Sequence, residues 1–104
     1  MKRILIASAL VASFAGISTS ALANEKLAQA SGCMTCHGID KKIIGPSFKE
    51  VAQKYGSDKD AQSKLFQKVK MGGKGNWGET PMPPNAHVKD EDIKTIVQWV
   101  MSQK

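Results

Sequence analysis

Apolar residues recur at helical spacing in four stretches of the chain. From about Asn24, a candidate N-cap with Glu25 in the opening turn, Leu27, Ala28 and Ala30 share one side, and Gly32 ends the segment. In "SFKEVAQKYG", Ser47 and Glu50 form a capping box, and Phe48, Val51, Ala52 and Tyr55 fall on one face before Gly56 stops it. The third segment, 60–71, turns Ala61, Leu65, Phe66 and Val69 inward and ends at Gly72 and Gly73. The fourth opens with Asp90, Glu91 and Asp92, which suit the positive end of a helix dipole, and buries Ile93, Ile96, Val97, Val100 and Met101. Trp99, at the same spacing, reads as core. The weak point of this helix is Lys89, which stands where Ser, Thr or Asp is expected. No segment alternates cleanly enough for a strand, so the predicted class is all-α, with about four short helices.

Between the third and fourth helices lies "GGKGNWGETPMPPNAH", residues 72–87. Three prolines and four glycines predict irregular structure over most of it. A loop this long in a small chain is either functional or disordered, and Trp77 and Met82 within it argue for packing against something.

The N-terminal stretch changes the accounting. Lys2 and Arg3, then the apolar 4–17, then Ala21-Leu22-Ala23 read as a secretory signal peptide over residues 1–23, cleaved after Ala23. The apolar run is too short and too rich in Ser, Ala and Gly for a membrane span, so the expected product is exported to the periplasm and not membrane-embedded once processed. Removing 23 of the 104 residues leaves a single domain of 81, residues 24–104. At this size an apolar core alone barely suffices, and a staple, metal or cofactor is expected. The whole chain carries 15 basic and 9 acidic residues. Without Lys2 and Arg3 the balance is 13 to 9, a charge of +4, all from lysines spread along the chain. Nucleic-acid readers cluster their basic residues and favour arginine, so that class is set aside; docking against acidic partners is the expectation instead.

Both cysteines and one of the two histidines fall in "GCMTCHG", residues 32–38. Zinc would need two further ligands, and only His87 remains. A thioredoxin-like site expects a βαβ context. A Cys33–Cys36 disulfide leaves His37 a coincidence and closes too short a loop to stabilise much. Covalent haem attachment accounts for all three residues: two thiols on one turn add to the two vinyl groups of one haem, and the adjacent His37 imidazole is directed at the iron. The C-x-x-C-H signature favours this reading over the other three together. Such a cofactor also gives four short helices a common apolar surface to bury.

The second axial ligand decides whether iron carries electrons or binds substrates. Met34 lies inside the attachment turn, while Met71 and Met101 sit at helical spacing, where methionine is more often core filler. Met82, between Pro81 and Pro83-Pro84, is in a stiffened loop 45 positions after His37, and it is favoured as the sixth ligand. His87 is the runner-up.

Taken together, "GCMTCH", "IIGPSFKEVAQKY", "GNWGETPMPPN" and "IVQWVMSQK" resemble the small class I cytochromes c of bacteria, the short periplasmic carriers of denitrification and terminal-oxidase chains. The resemblance covers essentially all of 24–104. It implies the class I cytochrome c fold wrapped round one haem c, with a Pro/Gly-rich loop carrying the axial methionine. It implies thioethers at Cys33 and Cys36 and iron ligation by His37 and Met82. Pro46 would accept a hydrogen bond from the other His37 nitrogen, Trp77 would donate to a haem propionate, and Asn85 would hydrogen-bond near the Met82 sulfur. The first and last helices would cross, with Leu27 and Ala28 near Ile96 and Trp99. One departure is a longer "NAHVKDED" junction, around His87 and Lys89.

The function expected is that of a monomeric one-electron carrier, not an enzyme, shuttling between larger acidic-surfaced redox proteins (a reductase, oxidase or dehydrogenase). Met34, Ile43, Ile44, Pro83 and Pro84, rimmed by Lys41, Lys42, Lys49 and Lys74, are the expected docking patch. The alternative is a haem enzyme or gas-binding protein with a displaceable sixth ligand.

Overall fold

The computed structural model describes residues 19–104; the basic Lys2 and Arg3 and the apolar stretch assigned to the leader lie outside the described residues. Four helices form, as the apolar spacing predicts: α1 (Thr19–Ala30), α2 (Phe48–Tyr55), α3 (Ala61–Met71) and α4 (Asp90–Met101). α1 is already helical at Thr19, the first described residue and five before the expected start, and runs unbroken through the Ala23–Asn24 bond, but the one described residue it buries is Ala28. Gly32 then turns the chain in a left-handed conformation, φ 85°, that a side chain would resist. A single 3₁₀ turn, Cys33–Thr35, follows.

Residues 38–47 fold back over that turn. The Ile44 and Gly45 N–H groups both donate to the Cys36 carbonyl (3.1 and 2.8 Å), and Phe48 N–H donates to the Gly38 carbonyl at 2.9 Å. The return brings the chain to Ser47, which is buried and extended and whose Oγ accepts the Glu50 N–H at 3.1 Å. The Ser47 cap thus starts α2 where the sequence places it.

α3 is introduced differently. Asp60 occupies the N-cap without a side-chain bond, and Asp58 serves instead, its carboxylate accepting from Asp60 N–H (2.8 Å) and from Lys64 Nζ (2.7 Å). α4 has no side-chain cap at Lys89, and its three acidic first-turn residues stand in for one. Lys70 on α3 pairs with Asp90 at 2.6 Å.

α4 is the central element and packs on α1, α2 and α3. Ile93, Ile96, Val97, Trp99 and Val100 are buried along it, meeting Ala28, Phe48, Val51 and Leu65 from the other helices. Each such aliphatic burial contributes about 1.5–3 kcal/mol relative to exposure. Trp99 is core, its ring edge-on to Phe48 at 5.3 Å. Among the described residues no helix is long and apolar enough to cross a membrane.

The stretch after α3 corrects the sequence reading. Instead of an irregular loop it contains an antiparallel hairpin, β1 (Gly73–Gly75) and β2 (Gly78–Met82), with Gly75 opposite Gly78 and Gly73 opposite Met82. Backbone pairing needs no side chains, and Gly75 and Gly78 supply the positive φ angles (106° and 109°) that close a turn over Asn76 and Trp77. Pro81 is accommodated because the ribbon has only edge strands. The fold class remains all-α, since this ribbon is an excursion from a helical body.

Candidate functional site

A partly open cleft of about 260 Å³ lies between the helices and the hairpin. It exceeds what a few ordered waters require and approaches the size of small-molecule sites. Cys33, Cys36 and His37 line it from the 3₁₀ turn; Phe48, Val51, Leu65, Val69 and Val97 give it an apolar surface; Trp77, Met82 and Asn85 line it from the hairpin and the loop beyond. The topology thus gathers into one cavity residues that the sequence holds up to 64 positions apart, Cys33 to Val97.

His37 is the most tightly specified of these. Its Nδ1 lies 2.6 Å from the Pro46 carbonyl, the contact implied by the family resemblance. A carbonyl oxygen only accepts, so Nδ1 carries the proton and Nε2 keeps its lone pair, the tautomer that ligates a metal. The Phe48 ring stacks on the imidazole at 5.2 Å and 21°. On another side the chain passes so close that a Cβ at Gly45 would sit 2.6 Å from His37 Cε1. Hydrogen bond, stack and glycine together fix the ring.

Cys33 and Cys36 are free, half-buried thiols. Burial pushes the Cys33 thiol above its ordinary value; a backbone hydrogen bond opposes this in part, and Cys36 adds to the rise. At neutral pH Cys33 is therefore protonated and sluggish in disulfide exchange. Among the described residues no three His, Cys, Asp or Glu side chains gather as a metal site, so the zinc reading has no structural basis. The sole described sheet is the hairpin, so neither does the thioredoxin-like one.

Of the described methionines, Met82 lines the cleft. Met34 and Met101 pack against the core, and Met71 is exposed on α3. His87 is exposed and outside the cleft. Met82 ends β2, and Gly72 packs directly under its carbonyl and against the Pro83–Pro84 backbone, where a Cβ would not fit. Asn85 donates its side-chain amide to the Val69 and Pro83 carbonyls (3.1 and 3.2 Å), which moors the loop to α3. Trp77 is 41 % exposed, with Lys54 Nζ 4.7 Å above its ring.

This arrangement has close parallels. The Cytochrome c family model matches residues 22–104. The chain belongs to the cytochrome c family. It is 53% identical over 85 residues to cytochrome c-551 of Allochromatium vinosum, an alignment covering 82% of this chain and 90% of the relative. It is 44% identical to cytochrome c-552 of Hydrogenobacter thermophilus over the whole of both chains. The crystal structure of Nitrosomonas europaea cytochrome c552 superposes with a TM-score of 0.75 at 40% identity, covering 77% of this chain and 99% of that one.

Cytochromes c are haem proteins that pass electrons to redox partners and are not enzymes. The residues present fit a covalently held haem: two free thiols on one turn, an imidazole with an available Nε2, a thioether and an apolar cleft surface. Sequence reasoning missed Gly45, the Phe48 stack and Lys54. "GP" after the attachment motif was a usable signal for Gly45, whereas a lysine on an exposed helix face gives none. Of the residues expected to form a docking patch, Ile43 and Ile44 are exposed, and Ile44, Pro83, Lys42 and Lys74 line the cleft. Met34 is instead drawn toward the core.

Proposed function

We propose that this chain is a periplasmic, monomeric one-electron carrier that holds a single haem c through thioethers at Cys33 and Cys36, with His37 and Met82 as axial ligands. The observation that carries the reading is that one cleft collects the attachment turn, the oriented imidazole and, of the described methionines, Met82. When bound, the haem supplies a ferric/ferrous couple. The chain's part would be to keep His37 and Met82 as ligands through the change of charge, so that little reorganises. Pro46 keeps the proton on His37 Nδ1 and so leaves the Nε2 lone pair available to hold iron. The thioether of Met82 favours the reduced state and raises the potential. Apolar side chains line much of the cleft, and with haem bound Trp77 would donate its indole N–H to a propionate, while Lys68 and Lys74, which line the same cleft, would supply counter-charge. Asn85 fixes the backbone of the Met82 loop.

Residues 1–23 act as the leader, removed after Ala23. In support, the five described residues before that bond are exposed, so their loss costs no core contact. Partners are acidic-surfaced redox proteins met briefly over small, charge-steered interfaces.

Intact mass of exported protein tests the attachment: a gain of one haem with both thiols consumed is expected, and free or mutually bridged thiols overturn the proposal. Ligation is tested in the oxidised protein by a weak red sulfur-to-iron band and a strongly upfield methyl proton. Exposing the ferrous protein to carbon monoxide leaves the spectrum unchanged for a carrier; rapid binding at neutral pH would instead indicate a gas-binding or enzymatic site.

A further inference from the structure

The hairpin that ends in Met82 has little holding it together on its own. All of β1 and β2 up to Met82 is exposed, and two-stranded ribbons are marginal in water. Its cross-strand ion pair, Lys74–Glu79 at 3.7 Å, joins two solvent-exposed side chains and adds little. The base of the ribbon is fastened by Gly72 packed against Met82 and the prolines, and by the Asn85 bonds to Val69. The tip is fastened from α2. Lys54 Nζ donates to the Asn76 carbonyl at 3.3 Å and lies 4.7 Å from the centre of the Trp77 ring. Lys54 sits in the last turn of α2, where a cation also complements the negative end of the helix. At its first residue the same short helix stacks Phe48 on His37. One rigid element therefore grips the imidazole at one end and the hairpin tip at the other.

We propose that Lys54 is a positioning residue for the cleft: it pins the hairpin tip to α2 and so sets how often the segment carrying Met82 opens. The consequence at iron rests on the His37/Met82 reading above; the hairpin motion does not. The pin is a cation over an indole face plus a hydrogen bond to a backbone carbonyl, a combination an arginine reproduces and a neutral side chain of similar length does not.

The test compares haem-loaded wild type with Lys54→Met and Lys54→Arg by amide hydrogen exchange. In Lys54→Met, exchange of residues 73–82 accelerates by roughly three- to ten-fold while residues 93–100 of α4 stay as protected as before. Lys54→Arg restores hairpin protection. In parallel, cyanide binding to the ferric protein, which competes for the sixth position, speeds up by the same factor in Lys54→Met. Hairpin exchange unchanged in Lys54→Met, acceleration shared equally with α4, or no rescue by arginine would each overturn the proposal. If hairpin exchange responds but cyanide binding does not, the pin stands and Met82 ligation is what fails.

Discussion

Gly45→Ala is the sharpest single test of the site, because two known effects of this substitution carry opposite signs. Gly45 has no left-handed φ, so an alanine there meets no backbone strain. By itself that change stabilises a protein by about 0.4–1 kcal/mol, through the unfolded chain. Here the added Cβ would lie 2.6, 3.0 and 3.2 Å from Cε1, Nδ1 and Nε2 of His37. Comfortable carbon contacts need about 3.5–4.0 Å, so ring or backbone must give by about 1 Å. The ring is flanked by Phe48, and moving it off Gly45 by about 1 Å would stretch its short 2.6 Å Nδ1 bond to Pro46 to about 3.6 Å, past useful geometry. Overpacking costs about 1–3 kcal/mol and the lost hydrogen bond about 0.5–1.5; less the gain through the unfolded chain, this is a net destabilisation of about 2 kcal/mol. For a domain of this size that lowers Tm by roughly 8–16 °C. Thermal unfolding followed by far-ultraviolet circular dichroism on the haem-loaded protein measures it. The reduction potential should rise in the same variant, because an imidazole without its carbonyl partner is a weaker donor to ferric iron. A Tm equal to or above wild type would refute the steric argument.

Three further outcomes are expected. Ser47→Ala removes a buried cap and lowers stability by about 1 kcal/mol, whereas Lys89→Ser supplies α4 with a cap and raises it by a comparable amount; equal melting curves for Lys89→Ser and wild type would reject the capping argument. The Asp58 carboxyl is held below its ordinary value, first by the Lys64 ammonium and then by the Asp60 N–H. Its contribution is therefore present above the unfolded value and lost as pH falls through the folded one: Asp58→Asn melts earlier at pH 7, the gap closes in acid, and a gap independent of pH contradicts the assignment. Reversing charge at Lys41 and Lys42 slows electron exchange with an acidic partner, most at low ionic strength; stopped-flow rates unaffected at low salt would remove these lysines from the docking surface.

Much of this protein was legible before folding was considered, because the relevant information is local. The attachment motif packs its chemistry into five consecutive positions, Cys33 to His37. The helical faces of α2 and α4 and the Ser47 cap are set by spacings within two turns of chain, and the structure keeps them nearly to the residue. Gly32 and Gly72 end their helices where the sequence places them.

What only the tertiary structure decided depends on segments far apart in sequence. Four methionines and His87 were available to the cleft on chemical grounds; packing admitted Met82, sent Met34 and Met101 toward the core and left Met71 and His87 outside. The hairpin was unreadable because half of its eight strand residues are glycine or proline, which carry no alternating pattern, and its pairing is a backbone property. Lys54 looked like any solvated lysine until folding carried Trp77, 23 positions later, beneath it. Local spacing encodes which turn a helix takes and which sulfurs sit together; which side chains then meet across the cleft is settled by the shared burial of four helices, a constraint no single stretch of the chain contains.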